Sequence, residues 1–160
     1  MILSPFLMRQ KSPAWVYDND DVSDLNIINT PTGDKHDNCV AFSTWFMARY
    51  TSLYDPSISN DGALLAHDWY NFFKDKYDIT TSDKPIVYSL ASWSKSIPGF
   101  TDSGNHTGIV VGINGDKVII AQAGWKVPGG SYFTEHNVSD LSGPGCFYMD
   151  ITPYLTKKLK

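Results

Sequence analysis

Two apolar runs on either side of Asn114-Gly115-Asp116 constrain the fold of this 160-residue chain most strongly. The first run covers residues 107–113 and the second covers 117–121. Asn-Gly readily adopts the positive φ angles of a tight hairpin turn, so the two runs are predicted to be neighbouring antiparallel strands. The second half of the chain is therefore expected to build a sheet.

Two helices are predicted ahead of this hairpin. The first covers Cys39 to about Tyr50, where Phe42 and Phe46 recur at helical spacing and no Gly or Pro interrupts the run. Asp37 and Asn38 precede it, and their side chains can accept the unpaired N–H groups of its first turn. The second helix is predicted from about Asp61 to Lys76, with Asn60 or Asp61 as its cap.

The sequence indicates the remaining elements less strongly. Strand candidates lie at 85–90, 132–133 and 146–151, with a loop predicted over 91–104. Helices followed by strands predict an α+β fold with an antiparallel sheet. We expect a single domain over 1–160, with a core at about 37–151, an irregular segment at 1–36 and a frayed basic tail at 156–160.

The composition excludes several classes of protein. The formal net charge is -4, whereas a nucleic-acid-binding domain should carry a basic excess. No run of 18 apolar residues is present, so no membrane insertion is expected. The apolar start at 1–8 has no basic residues ahead of it and is not expected to be a signal peptide, so the protein either stays inside the cell or is exported without a cleaved signal peptide. We expect a monomer.

Cys39 is the first candidate for chemistry. A thiol in the first turn of a helix lies in the positive field of the helix dipole, which favours the nucleophilic thiolate. The alternative is a buried, inert cysteine, because free Cys packs as a small hydrophobic residue. The only other cysteine is Cys146, and we predict that the two are not joined by a disulfide, which would consume the nucleophile.

His106 is the candidate partner of Cys39. It is the only one of the four histidines at the mouth of a strongly predicted strand, where a packed helix could present its N-terminus. In a Cys–His dyad the imidazole takes the thiol proton and the thiolate attacks an acyl carbon. Backbone N–H groups at the helix start can then stabilise the oxyanion.

Other polar clusters have simpler explanations. A zinc site built from His36, Cys39, His136 and Cys146 lacks the tight ligand spacing of structural zinc sites, so we predict no metal. The run at 18–21 lacks the Gly and Glu of a calcium loop and is predicted to be an acidic turn. We expect His67 to lie at the surface or to be a satisfied hydrogen-bonding residue, and His136 to lie in a polar loop. Trp45, Trp69 and Trp93 are expected in the core.

Two short motifs surround the candidate residues: residues 37–42 are Asp-Asn-Cys-Val-Ala-Phe, and residues 105–112 are Asn-His-Thr-Gly-Ile-Val-Val-Gly. They resemble the nucleophile motif and the histidine motif of the NlpC/P60 and CHAP families of cysteine peptidases. Residues 82–88 are similar to the strand before the histidine motif, so the resemblance covers about 37–125. It implies a papain-like fold in which the Cys helix packs on a small antiparallel sheet. It also implies a cofactor-free cysteine amidase or endopeptidase that cleaves amide bonds in the peptidoglycan stem peptide.

The resemblance also suggests a third catalytic residue. CHAP members often place Glu-x-Asn-Trp on the strand after the histidine. Here Gln122 falls at the Glu position and Gly124 at the Asn position, which are departures, and Trp125 matches. Gln122 can accept the imidazole N–H but carries no charge, so it would stabilise the imidazolium less. Asp102 and Asn105 are the alternatives for this role. Among substrate-binding candidates, Trp125 could line the cleft, and Asn38 could cap the helix or assist the oxyanion.

The biological setting is predicted from resemblance alone. The motif at 35–39, Lys-His-Asp-Asn-Cys, resembles that of type VI secretion amidase effectors, which are single-domain enzymes injected into a rival's periplasm. That implies an antibacterial role with a possible cognate immunity protein. A phage lysin fits the same motifs. Two further alternatives are a papain-like acyl transferase or protease acting on another substrate, and a non-catalytic binding module that retains the fold.

Overall fold

The computed structural model describes residues 38–53, 61–100, 104–123 and 131–156. The helices are α1 (Cys39–Tyr50) and α2 (Leu65–Phe73). The strands are β1 (Thr81–Ser82), β2 (Ser89–Trp93), β3 (His106–Asn114), β4 (Lys117–Ala123), β5 (Ser131–Asn137) and β6 (Cys146–Asp150), with short 3₁₀ turns at Val138–Leu141 and Thr152–Tyr154. Within these ranges, no helix has the length and apolar character needed to cross a membrane.

The six strands form one antiparallel sheet in the order β1-β6-β2-β3-β4-β5. The predicted hairpin is confirmed as β3–β4, in which Asn114 pairs with Lys117 and Gly115 has a positive φ of 63°. The predicted α+β class, with the Cys helix packed on an antiparallel sheet, is likewise confirmed.

The two faces of the sheet bury different sets of side chains. Alternate residues of a strand point to opposite faces. We call the side that packs on α1 and α2 the helix face; it presents Leu90, Ile109, Ala121 and Met149. The opposite side, the far face, presents Ala91, Trp93, Val110, Val118, Ile120, Cys146 and Tyr148. The sheet therefore contributes to two hydrophobic clusters.

Helix α1 begins as its sequence predicts. Asn38 is the N-cap, and its Oδ1 accepts the Val40 N–H at 2.7 Å. The sequence indicates one apolar face, but the helix is buried around most of its circumference, because the small polar side chains of Ser43 and Thr44 are also inside. A helix enclosed in this way is held by packing on all sides, which fixes the position of its N-terminus.

Several predicted boundaries are wrong. The second helix is shorter than 61–76, and its N-cap, Leu64, makes no side-chain cap bond; Asp61 caps the turn before it by accepting the Ala63 N–H. The strand predicted at 85–90 lies at 89–93, so only residues 89 and 90 match the prediction and 91–93 fall in the predicted loop. The strand predicted at 132–133 extends over 131–137, and the short strand β1 was not predicted.

Glycine is required at position 108 of β3, because neighbouring residues leave no room for a side chain there on the far face. A Cβ built on it would lie 2.9 Å from the Ala121 carbonyl oxygen and 3.1 Å from Ile120 Cγ2, with Trp93 Cη2 at 3.5 Å. Backbone and a β-branched side chain cannot easily move away, so Gly108→Ala overpacks the sheet.

We expect Gly108→Ala to lower the free energy of unfolding by about 1–3 kcal/mol, the usual cost of overpacking. Gly112→Ala in the same strand is the matched control, because its Cβ would make ordinary contacts at 3.6 Å and beyond with Ile119. Urea denaturation of both variants tests this. Equal stability of the two would show that this crossing tolerates a side chain.

Candidate active site

Cys39 is the first residue of α1, directly after the Asn38 cap. Its side chain is half-buried and packs against the hydrophobic cluster of the helix face. The cap occupies the Val40 N–H, and Phe42 N–H bonds to the Asn38 carbonyl at 2.9 Å. Within the described residues, no such bond occupies the N–H groups of Cys39 and Ala41, which by the geometry of a helix start are available to a ligand.

Helix α1 lies on β3 so that its N-terminal turn is close to the start of that strand. Ser43, one turn after Cys39 on the same side of the helix, has its Oγ 3.4 Å from Thr107 Oγ1. Thr107 also donates to the Ala91 carbonyl at 2.6 Å and is fully buried. The neighbour of His106 in β3 is thereby held against the helix that carries Cys39.

The imidazole of His106 is enclosed by aromatic rings. It is the first residue of β3 and is only 2% exposed. It pairs across the sheet with Trp93, whose ring stacks on it at 5.7 Å between centroids and 23° between planes, and Phe100 lies at 4.9 Å. Because Trp93 belongs to the far face, the ring of His106 leaves the strand toward that side, at the end of the sheet.

A chain of hydrogen bonds extends from His106 across β4 and β5. His106 Nε2 lies 2.6 Å from Gln122 Oε1, Gln122 Nε2 donates to Thr134 Oγ1 at 2.6 Å, and Thr134 Oγ1 lies 2.6 Å from His136 Nε2. His136 Nδ1 is 3.2 Å from the Pro98 carbonyl oxygen. All four side chains are buried, so the chain is shielded from water.

Burial also changes proton affinities near the site. It lowers the pKa of His136, although the bond to Pro98 and the Asp140 carboxylate act in the opposite direction. Burial raises the pKa of the Cys146 thiol, and the nearby Lys95 ammonium only partly offsets this. Cys146 lies on the far face in β6, and both cysteines are free thiols. A buried thiol with a raised pKa is a poor nucleophile at neutral pH.

The structure brings some predicted residues together and leaves others apart. His106 and Gln122 are joined directly. Asn105, an alternative third residue, is exposed, and its Oδ1 instead accepts the Ala63 N–H at 2.7 Å, which ties the start of α2 to β3. Asp102, Trp125, His36 and the acidic run at 18–21 lie outside the described residues.

His136 was not recognised as part of the site. The sequence predicts a polar loop there, which is wrong: His136 lies in β5, paired with Val118, and is buried. The pattern Thr-Glu-His-Asn alternates too weakly to indicate a strand. His67, predicted at the surface or as a satisfied hydrogen-bonding residue, is half-buried and stacks on Phe147, with ring centroids 3.8 Å apart. Trp45, Trp69 and Trp93 are fully buried, as predicted.

No metal cluster is found in the part of the chain that the structure describes, where no three His, Cys, Asp or Glu side chains gather closely enough to share an ion. Cys39 lies at the start of α1, Cys146 in β6 and His136 in β5. His136 is instead bonded through both ring nitrogens, to Thr134 and to Pro98.

Comparison with known families identifies the family to which this chain belongs. The CHAP domain matches residues 29–124, which include Cys39, His106 and Gln122 and more than half of the sequence. The chain belongs to the CHAP domain family. The match begins before α1 and ends one residue after β4, so β5, which contributes Thr134 and His136, lies beyond it.

A solved structure shares the fold of this CHAP domain. The crystal structure of an N-acetylmuramoyl-L-alanine amidase from Staphylococcus aureus superposes with a TM-score of 0.51 at 20% sequence identity. The alignment covers 84% of this chain and 37% of the amidase chain, so this chain spans well under half of that protein. A search of curated proteins found no match.

Proposed function

We propose that this CHAP domain is a peptidoglycan hydrolase that cleaves an amide bond of the stem peptide through a Cys39 thioester. The observation that carries the proposal is the buried bond between His106 Nε2 and Gln122 Oε1, in a chain that places a half-buried cysteine at the start of the helix packed on β3. Membership of the CHAP family and the fold shared with a wall amidase support the substrate class.

In this mechanism Gln122 fixes the protonation of His106. The amide oxygen Oε1 can only accept, so the ring donates through Nε2–H. The neutral imidazole then carries its lone pair on Nδ1, which we assign as the base for the Cys39 thiol. The departure from the Glu found in many CHAP domains therefore keeps the orienting bond but loses the negative charge.

The reaction follows in two stages. His106 Nδ1 takes the thiol proton, and the Cys39 thiolate attacks the carbonyl carbon of the scissile amide. The imidazolium then protonates the leaving amine, the C–N bond breaks, and a thioester remains on Cys39. His106 next takes a proton from water, the resulting hydroxide attacks the thioester, and the carboxylic acid product leaves as Cys39 recovers its proton.

The helix start supplies the oxyanion donors in this proposal. The Asn38 cap takes the Val40 N–H, which leaves the Cys39 N–H beside the nucleophile. Because Asn38 uses Oδ1 for the cap, its Nδ2 group is a second donor on the same edge. One backbone and one side-chain donor at a helix N-terminus stabilise a tetrahedral oxyanion.

The contact between Cys39 and His106 is proposed at the end of the sheet. Thr107 points to the helix face, where it meets Ser43, whereas the His106 ring stacks with Trp93 of the far face. The two groups can therefore meet only where β3 begins, with the ring reaching past the end of the strand toward the helix N-terminus. The turn before α2 also lies close to this point, because a Cβ on Gly62 would lie 3.3 Å from His106 Cα.

Delivery and partners stay predictions from resemblance. Action in a target-cell periplasm or wall and pairing with an immunity protein are proposed from the likeness of residues 35–39 to effector motifs.

Purified sacculi digested with the protein test the proposed function. We expect soluble fragments whose masses show hydrolysis of one amide bond, with the gain of one water per cut and new amine and carboxyl ends. Products joined to an added amine instead of water would identify an acyl transferase. Intact sacculi that retain bound protein would identify a non-catalytic wall-binding module.

A further inference from the structure

We propose that His136 and Thr134 are positioning residues that set the tautomer of His106 through the Gln122 amide. The structural part of this inference stands on hydrogen-bond direction alone. Its consequence for catalysis rests on the function proposed above, because only then does the His106 tautomer matter to a reaction.

The series of hydrogen bonds ends at the Pro98 carbonyl, whose role as an acceptor is fixed. A carbonyl oxygen only accepts, so His136 Nδ1, 3.2 Å away, must carry a hydrogen and donate it. In a neutral imidazole the other nitrogen then has only a lone pair. His136 Nε2 therefore accepts from Thr134 Oγ1, at 2.6 Å, and the Thr134 hydroxyl hydrogen is committed to His136.

The committed hydroxyl determines the orientation of the Gln122 amide. With its hydrogen directed at His136, Thr134 Oγ1 can only accept from Gln122, so the amide nitrogen Nε2 must face Thr134, at 2.6 Å. The amide oxygen Oε1 then faces His106 Nε2. A flipped amide would place its oxygen against Thr134 Oγ1, which has no hydrogen left to donate, so two acceptors would face each other.

The donor and acceptor roles in this series of hydrogen bonds therefore determine the tautomer of His106, the proposed base. His106 must donate through Nε2–H, which leaves the Nδ1 lone pair for the thiol proton. The two histidines are held in opposite tautomers, with the hydrogen on Nδ1 in His136 and on Nε2 in His106. Removal of the Thr134 hydroxyl takes away the acceptor of the Gln122 amide nitrogen. The Gln122 amide is then no longer held in one orientation.

The surroundings of His136 favour the neutral form that this argument needs. The ring is 8% exposed and packs against Phe100, with centroids 4.5 Å apart. The polypeptide backbone at Gly99 lies close to the His136 ring, because a Cβ on Gly99 would lie 3.1 Å from His136 Cε1. Burial lowers the pKa of His136, although the bond to Pro98 and the Asp140 carboxylate act in the opposite direction.

Nitrogen-15 NMR of the two rings tests the proposal. In a folded Cys39→Ala protein at pH 8, two-bond nitrogen–proton correlations should show His106 as the Nε2–H tautomer and His136 as the Nδ1–H tautomer. Each form gives a distinct pair of nitrogen shifts. His136 found as Nε2–H would overturn the proposal, since the chain would then run in the other direction.

Thr134 offers a matched pair of variants. Thr134→Val keeps the shape of the side chain and removes the hydroxyl, whereas Thr134→Ser keeps the hydroxyl. In the Cys39→Ala background, Thr134→Val should raise the Nδ1–H form of His106 at least about tenfold, which is 1.4 kcal/mol in tautomer preference. Thr134→Ser should leave it unchanged. An unaltered His106 tautomer in folded Thr134→Val would refute the link.

His136→Phe is the second test, in case Thr134→Val does not fold. Phenylalanine keeps the ring against Phe100 and removes the acceptor, so the Thr134 hydroxyl is freed and the Nδ1–H form of His106 should again rise. With Cys39 present, both variants should lower kcat by about ten- to a hundredfold with little change in KM, a range within general acid–base contributions. Unchanged kcat in an active enzyme would refute the catalytic consequence.

These readouts separate two kinds of failure. If the protein does not digest sacculi but the tautomers respond as expected, the hydrogen-bond inference stands and the proposed function fails. If sacculi are digested but Thr134→Val changes neither the tautomer nor kcat, the proposed function stands and this inference fails.

Discussion

Cys39→Ala should abolish sacculus digestion while the protein stays folded. Loss of the proposed nucleophile removes the thioester route, and in a serine protease with a catalytic triad the loss of the nucleophile lowers kcat on the order of a millionfold. The side chain is half-buried at a helix start and no deep cavity is left, so the free energy of unfolding should fall by only about 1 kcal/mol or less. Circular dichroism and product release from sacculi measure the two effects.

Cys146→Ala is the matched control for this prediction. It removes the other thiol, which is buried in β6 on the far face and outside the proposed site. We expect digestion at close to the wild-type rate with a modest loss of stability. A folded Cys39→Ala protein that still releases fragments would remove Cys39 from the mechanism.

Gln122→Ala should have the second-largest effect. It removes the acceptor of the His106 Nε2–H and the donor to Thr134 together, inside a buried network. We expect kcat to fall by about ten- to a thousandfold, the range of general acid–base contributions, because orientation is only part of that contribution. Residual activity should persist through Cys39 and His106, since orienting residues cost less than nucleophiles.

Gln122→Glu tests the charge separately from the bond. A carboxylate still accepts from His106 Nε2 and stabilises the imidazolium, so activity should hold or rise and the alkaline limb of the pH–rate profile should move upward. A carboxylate cannot donate to Thr134, however, so Thr134 must turn its hydroxyl toward residue 122 and accept from a protonated His136. That rearrangement becomes harder as His136 loses its proton.

The two Gln122 variants together show whether Gln122 orients His106. A Gln122→Ala enzyme at the wild-type rate with an unchanged pH profile would show that Gln122 does not orient the base. Asp102, or a plain Cys–His dyad, would then be the next hypothesis, because Asn105 is bound to Ala63.

Local patterns were sufficient for the first helix and the hairpin. The Asn38 cap, the aromatic spacing of α1 and the Asn114-Gly115 turn are each determined by neighbouring residues. Cys39 and His106 could be identified because they lie at the starts of these elements. The family resemblance then led to Gln122, which the structure joins to His106.

The position of β2 could not be predicted because distant partners determine it. The apolar run at 86–88 indicates a strand, yet Val87 is 42% exposed and Tyr88 has a positive φ of 57°. The strand begins at Ser89, where pairing with Val110 of β3 and Asp150 of β6 sets the register. A short apolar run does not encode such long-range pairing.

The polar network was missed for a related reason. Thr134 and His136 are ordinary surface residues by composition, and only the pairing of β5 with β4 brings them beside Gln122. A buried row of polar side chains on an otherwise apolar sheet face has no local sequence signal. It becomes recognisable only when each hydrogen-bond partner is traced, from His106 to the Pro98 carbonyl.

The pH dependence of Cys39 alkylation tests the central claim, that His106 activates Cys39, most directly. The rate with iodoacetamide is measured in a Cys146→Ala background with either His106 or His106→Gln, so that Cys39 is the sole thiol. With His106 present, we expect rapid alkylation that stays nearly constant down to about pH 6.5, because an imidazolium holds the thiolate. His106→Gln should slow it at that pH by at least about tenfold, since an ordinary thiol ionises near pH 8.5. Identical profiles for the two proteins would contradict the pairing of Cys39 with His106.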